Sequence, residues 1–319
     1  MESRRLGSSG LRVSRIGLGT MTWGHDTDAD AAADLLSAFV DAGGNLLDTA
    51  DVYAGGESER MIGALLGRTV SRADLVISTK AALTPDGPGD RDASGRHLLA
   101  ALDGSLRRLG VDHVDVWNAH AYDPDTPLEE TLAALDTAVA TGRARYAGVA
   151  AYAPWQLARA ATWQRAWPGR TPIAAAQAEY SLLARGAEDG LLDAATDVGT
   201  GLLAWSPLGR GVLTGKYRTG IPSGSRGADE HLADFVRPYF HDRARAIVES
   251  VATAADGLGV SPLAVALCWV RDRPGVTAPI VGARTAAQLE GVLESESLTL
   301  PREIRDALDD VSDHPSDEP

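Results

Sequence analysis

The sequence predicts an α/β protein, and within that class a (β/α)8 TIM barrel. Eight short apolar runs follow one another along the chain, nearly all separated by helix signals. Strands that alternate with helices imply a parallel sheet, and eight such units close it into a barrel. The competing open sheet would announce itself with Gly-x-Gly-x-x-Gly after a strand. Gly17-Leu18-Gly19 has Thr22 where the third glycine belongs, and after Gly209-Arg210-Gly211 the next glycine, Gly215, comes one residue late.

Residues 1–15 read as a small hairpin ahead of the barrel. Arg4–Leu6 and Leu11–Val13 alternate around a Gly7-Ser8-Ser9-Gly10 turn, a pattern suited to capping one end of the barrel. Ile16–Thr20 is the first barrel strand. Asp28 opens a helix with Leu35, Leu36, Phe39 and Val40 on one face, and Gly43 ends it. Leu46–Asp48 is the second strand. Ser58 reads as the cap of a helix whose apolar face is Met61, Ile62, Leu65 and Leu66, closed by Gly67. Leu75–Lys80 is the third strand, and the polar stretch Pro85–Ser94 leads to a helix through Leu98, Leu99, Leu102 and Leu106.

Val114–His120 is the fourth strand. Thr126-Pro127-Leu128-Glu129 reads as a capping box with proline at the first helical position, and its helix ends near Gly142. Tyr146–Ala151 is the fifth strand, followed by a helix from Pro154. Ile173–Gln177, Gly201–Ala204 and Pro279–Gly282 are the sixth, seventh and eighth, with helices at Leu191-Leu192 and Gln288–Leu293. Two segments fall outside the repeat. Residues 208–240 form a long connection of the kind that makes lids and binding loops, and Asp309–Pro319 is an acidic tail expected to fray. The whole chain, 1–319, reads as one barrel domain.

A chain of 319 residues that is 44% hydrophobic can bury a large core. A net charge of −14 argues against a nucleic-acid partner, since phosphate contacts need a basic surface. No apolar run is long enough for a membrane span, and the N-terminus lacks the apolar core of a signal peptide. Cys268 is the one cysteine, in an apolar helical run at Leu263–Val270, and reads as inert core. These features suit a cytoplasmic enzyme or binding protein, and they leave the subunit count open, a homo-oligomer included.

The candidate site follows from where the strands end. Barrel sites lie at the C-terminal ends of the strands. The second strand ends at Asp48, the third at Lys80 and the fourth at His120, with Tyr53 on the loop above. Taken singly, each is more often structural: a cap, a rim group, a core histidine. On adjacent strands at one mouth they are hard to explain as decoration. A lysine beside a tyrosine favours phenolate, lowering a reference pKa of about 10. Asp48 would orient the ammonium, Tyr53 would give its proton to a developing alkoxide, and His120 would position a carbonyl oxygen. The set lacks a reductant and a metal. With one cysteine and seven scattered histidines, no metal site is expected, so a hydride would have to come from a nicotinamide cofactor.

Here the sequence resembles the aldo-keto reductase family over nearly its whole length. The matching words are Gly17-Leu18-Gly19-Thr20-Met21, Leu47-Asp48-Thr49-Ala50-Asp51-Val52-Tyr53, Ser78-Thr79-Lys80, Ser105-Leu106-Arg107-Arg108-Leu109-Gly110, Trp205-Ser206-Pro207-Leu208 and Gly211-Val212-Leu213-Thr214-Gly215-Lys216-Tyr217. The resemblance implies a TIM barrel that reduces aldehydes and ketones with NADPH, returning NADP+. It implies Asp48, Tyr53, Lys80 and His120 as the catalytic four, with Tyr53 as general acid. It also implies cofactor contacts from Gly19, Thr20 and Met21, from Gln177 to the carboxamide, and from Trp205 stacked on the nicotinamide. Ser206, Pro207, Leu208, Gly211 and Lys216 would wrap the pyrophosphate. Gly282 would also contact the cofactor where the last helix opens, Arg284 there would meet the 2′-phosphate, and Gln288 the adenine. The β subunits of voltage-gated potassium channels also resemble this family, which makes a regulatory cofactor-binding protein the alternative to an enzyme.

Two departures stand out. The family usually has Gly-Val-Ser-Asn after the fifth strand, whereas this chain has Gly148-Val149-Ala150-Ala151. Each lost hydrogen bond would weaken cofactor binding by roughly 0.5–1.5 kcal/mol. Val292 stands where an adenine-contacting Asn is expected. For a small-molecule carbonyl substrate, the candidate walls are Trp23, Tyr122 and Trp155, with Phe235 and Tyr239 from the long connection closing over. The turn Ala121-Tyr122 replaces the Arg-Pro of many relatives. Such aromatic walls suit a neutral, fairly bulky carbonyl compound.

Overall fold

The computed structural model describes residues 1–84, 90–229 and 232–313. Among these residues ten strands occur in chain order: β1 (Ser3–Arg5), β2 (Arg12–Ser14), β3 (Gly17–Gly19), β4 (Leu46–Asp48), β5 (Val76–Ala81), β6 (Val114–Ala119), β7 (Ala144–Ala150), β8 (Ile173–Glu179), β9 (Gly201–Trp205) and β10 (Val276–Val281). β1 and β2 form the antiparallel hairpin. The other eight close into a parallel barrel in the order β10-β3-β4-β5-β6-β7-β8-β9, with helices outside.

The hairpin plugs the floor. Leu6 and Val13 are fully buried and cluster with Leu46, Val76, Val116, Leu203 and Ala278 inside the barrel. Burying such side chains stabilises by roughly 1.5–3 kcal/mol each. With one end filled this way, the opposite mouth is the place left for a site.

Register decides what that mouth presents. Asp48 pairs with Gly19 on one side and Ser78 on the other. Lys80 stands opposite Asn118, and Ala150 opposite Gln177. His120 lies one residue past β6, where its amide donates to the carbonyl of Ala81 at 2.8 Å.

The structure corrects several local expectations. Ser58 does not cap its helix, which runs Glu57–Leu65 with Gly56 at the N-cap in a left-handed conformation. The Ser58 hydroxyl is instead fully buried, donating to the Thr20 carbonyl at 3.0 Å and lying within 3.0 Å of the Thr49 hydroxyl. It ties the ends of β3 and β4 together. Thr126 does not complete a capping box either. It donates to Asp123 at 2.6 Å, and Pro127 is the N-cap of Leu128–Ala140. The first part of the expected tail, from Asp309, is helical and does not fray. Arg302–Ser312 is a helix held by Asp309, which accepts from the Trp269 indole and the Arg273 guanidinium. The remainder of the expected tail, and part of the polar stretch at 85–94, lie outside the described residues.

Among its described residues, the long connection after β9 contains only short turns of helix, at Gly209–Thr214, Arg226–Ala228, Ala233–Val236 and Arg237–Tyr239. Two full helices, Asp242–Leu258 and Pro262–Arg271, then precede β10. Cys268 sits fully buried in the second, where burial pushes its thiol up to about 11. Among the described residues no single helix is long and apolar enough to cross a membrane.

Candidate active site

At the open mouth, the ends of β4, β5 and β6 bring four ionisable side chains into one cavity of about 750 Å3: Asp48, Tyr53, Lys80 and His120. The Lys80 ammonium donates to Asp48 Oδ2 at 2.6 Å and to the Thr49 carbonyl at 2.7 Å. It lies 3.4 Å from the Tyr53 hydroxyl. Lys80 and Asp48 are both nearly sealed from solvent. A buried pair is tolerated when its remaining lone pairs are satisfied, and here they are. Asp48 Oδ1 also accepts from the Ser78 hydroxyl at 3.0 Å and from Gln177 Nε2 at 2.8 Å.

That support extends one layer further. Asn118 Nδ2 donates to the Ser78 hydroxyl at 3.1 Å and to the Thr79 carbonyl at 3.0 Å. Room for Asn118 comes from Gly148 on the neighbouring strand, because a Cβ there would fall 2.1 Å from Asn118 Oδ1. The chain Gly148, Asn118, Ser78, Asp48 therefore fixes the aspartate from beneath, a role the motif alone does not reveal.

Burial alone would push the Lys80 ammonium down, yet the attraction of Asp48 and Tyr53 leaves it raised, so it stays charged. For Tyr53 the balance runs the other way from the expectation of an easily lost proton. Burial outweighs the nearby ammonium, and the phenol is held above its ordinary range. The side chain is thus kept protonated, with a cation poised to stabilise the phenolate once the proton leaves. Burial, with Lys80 adding to it, lowers the His120 imidazole to about 3, so the ring is neutral. Its Nδ1 is buried without a partner among the described residues, which leaves Nε2 as the nitrogen that the cavity can reach. The Tyr53 and His120 rings meet edge to face, with centroids 6.1 Å apart.

The same cavity is lined by Gly19, Thr20, Met21, Gln177, Trp205, Ser206, Pro207, Leu208, Gly211, Lys216, Gly282, Arg284 and Gln288. Sequence reasoning missed Arg226, which joins them from the long connection. Lys216 and Arg226 have no carboxylate partner among the described residues. Burial lowers both, and neighbouring cations lower them further. Arg284 donates to the Gly224 carbonyl at 2.7 Å and stands 3.7 Å from Asp26, which clamps the connection to the helix that follows β10. Gly211 has φ of +94°, a conformation that favours glycine, and Lys216 Nζ lies 2.9 Å from where a Cβ would stand there. Under-neutralised cations beside bare backbone form a cradle for a polyanion, and these residues fit a dinucleotide with phosphates. Ala150, Ala151 and Val292 line the cavity as well, so neither departure is offset by a polar side chain at those positions.

The aromatic candidates separate. Phe235 lines the cavity, with the Arg210 guanidinium 3.8 Å from its ring centroid. Trp23 does not: it is fully buried in the main core because its turn folds inward. Tyr122 and Trp155 are not on the cavity wall either. They pack against each other with centroids 5.8 Å apart, and Tyr122 against Tyr152 at 5.4 Å. Tyr239 is buried, donating to Glu179 at 2.8 Å beside Arg210. It holds the connection down and is not on the cavity wall.

Comparison with known proteins agrees with this geometry. Residues 15–313 match the model of the aldo/keto reductase family. An uncharacterized oxidoreductase of Bacillus subtilis (strain 168), YrpG, is 36% identical over 100% of this chain and 98% of its own length. A probable voltage-gated potassium channel subunit beta from Oryza sativa subsp. japonica is 38% identical over 91% of this chain and 89% of its own. The L-glyceraldehyde 3-phosphate reductase of Escherichia coli (strain K12) is 35% identical over 91% and 86%. With a charged strand-end cluster at the mouth of an eight-stranded barrel and a family match across nearly all of it, the chain belongs to the aldo/keto reductase family, oxidoreductases that act on carbonyl groups.

Proposed function

We propose that this protein reduces an aldehyde or ketone to an alcohol with NADPH, with Tyr53 as the general acid. The observation that carries this reading is the contact of Lys80 with both Asp48 and the Tyr53 hydroxyl inside one cavity. Bound NADPH would supply the hydride that the carbonyl carbon accepts. Lys216, Arg226 and Arg284 would hold its phosphates, and Trp205 and Gln177 its nicotinamide end.

The chain's own residues supply the rest. His120, neutral and with Nε2 toward the cavity, can donate to the carbonyl oxygen and fix its place. Tyr53 gives that oxygen a proton as its charge develops. The Lys80 ammonium then stabilises the phenolate, and Asp48 keeps Lys80 charged and in position. Solvent restores the phenol proton after the alcohol leaves.

A second reading has specific support. Ala150 and Ala151 remove side-chain hydrogen bonds from the nicotinamide end, and one of the relatives is named as a potassium channel subunit. On that reading the chain binds cofactor in a regulatory role with little turnover. Adding NADPH and a panel of aldehydes, and following absorbance of the reduced nicotinamide, separates the two. Steady oxidation of NADPH supports the reductase. Cofactor binding without turnover supports the regulatory protein.

A further inference from the structure

We propose that Arg91 recognises an anionic group on the substrate, so that the carbonyl compound reduced here carries a phosphate or carboxylate at the end away from its C=O. The inference rests on the reductase reading and refines its substrate class.

The charges lining the cavity lead to Arg91. Lys80 is paired with Asp48. Arg210 is neutralised by Glu179 through two contacts, at 2.8 and 2.9 Å. Lys216, Arg226 and Arg284 gather at the side of β9 and β10, where the phosphates of a dinucleotide would lie. Arg91 belongs to the other side, on the loop after β5, and lines the cavity with Leu83, His120 and Ala121. Among the described residues it has no carboxylate partner. Asp92, next in the chain, is turned away to the Ser94 amide at 2.9 Å and toward His97.

The backbone of Arg91 is held in place, with its exposed side chain at the rim of the cavity. It forms an antiparallel bridge with Leu83. On either side, the Thr84 amide donates to Asp90 at 3.0 Å and the Asp92 amide to Ala82 at 2.9 Å. Ala82 has φ of +131°, a region that residues with a side chain seldom occupy. Strain of this kind persists where the surroundings impose it, and it clusters at ligand sites. Across the gap, Arg91 Nη1 donates to the Tyr122 carbonyl on the loop after β6, at 2.9 Å. One hydrogen bond anchors the guanidinium, which leaves most of its five donors in a rigid fork that matches carboxylate or phosphate. The anionic group is bound and not altered. Hydride and proton still add across the C=O alone.

The test is steady-state kinetics on two matched pairs: glyceraldehyde 3-phosphate against glyceraldehyde, and succinic semialdehyde against butanal. The intact protein is compared with Arg91→Ala and Arg91→Lys. The expected result is a kcat/KM ratio, anionic over neutral, well above one for at least one pair. Which pair shows it distinguishes phosphate from carboxylate. Arg91→Ala should lower that ratio by roughly 10–100-fold, mainly through KM, and Arg91→Lys should restore part of it. Turnover of the neutral aldehydes with no charge preference, or a ratio unmoved in Arg91→Ala, overturns the proposal and leaves the reductase intact. No turnover of any of the four overturns the reductase reading and this one with it.

Discussion

The Lys80 ammonium stands 3.4 Å from the Tyr53 hydroxyl, and Asp48 grips it at 2.6 Å from the other side. The lysine is therefore a fixed charge with a direction. Burial holds the phenol above its ordinary range despite that charge, so Tyr53 is kept protonated, as the proposed general acid must be.

The neutral His120 has a consequence for pH. Its imidazole protonates near 3 when folded, against 6.5 as a free side chain. Hydrogen bonding to a carbonyl then needs no ionisation, and kcat should show no histidine-like break between about pH 5.5 and 8. Between 6.5 and 3 the unfolded chain binds a proton that the folded chain refuses, so stability falls as pH drops through that window. His120→Gln should flatten this slope in denaturant titrations at a series of pH values. A slope unchanged by the substitution would mean that the ring is not buried neutral.

Asp51 gives the opposite slope. Burial, with Glu59 adding repulsion, pushes its carboxyl up to about 7 from 3.8, and one of its oxygens is buried without a partner among the described residues. The folded chain keeps a proton that the unfolded chain loses, so this contribution to stability is lost as pH rises from 3.8 to 7. Asp51→Asn should stabilise the fold by roughly 1–3 kcal/mol at pH 8 and change little at pH 4. Equal effects at both values would contradict the burial of the charge.

Ala151 occupies a left-handed backbone conformation, φ +54°, at the mouth. A non-glycine residue there costs about 1–2 kcal/mol, and asparagine tolerates it better than alanine. Ala151→Asn should raise the thermal midpoint by about 2 °C or more and, with Ala150→Ser, lower the NADPH dissociation constant several-fold. An unchanged dissociation constant would show that other groups already serve the nicotinamide end.

Arg284 and Arg226 bear on cofactor choice. If they meet the 2′-phosphate, Arg284→Ala should weaken NADPH by about 10–100-fold and NADH far less. Fluorescence titration with both cofactors measures this directly. Equal losses would remove Arg284 from that phosphate.

The barrel was legible because its strands are short apolar runs that end in charge, as Leu46–Asp48 does, so periodicity and site coincide. The misread caps at Ser58 and Thr126 have one cause. Hydroxyls near a helix start can bond to the turn or to other strands, and only tertiary packing decides which. Arg226 was hidden in a connection without periodicity, where spacing says nothing about what folds back over the mouth. Trp23 was misplaced because an aromatic beside a glycine strand end reads alike whether its turn faces in or out. The Gly148–Asn118–Ser78 support under Asp48 depends on cross-strand register, which no single stretch of sequence displays.

The central claim is that Tyr53 delivers the proton, and Tyr53→Phe tests it most directly. Removing one hydroxyl should cut kcat for aldehyde reduction by at least about 100-fold while the NADPH dissociation constant, measured by titration, stays nearly the same. Turnover in Tyr53→Phe comparable to that of the unaltered protein would contradict the account.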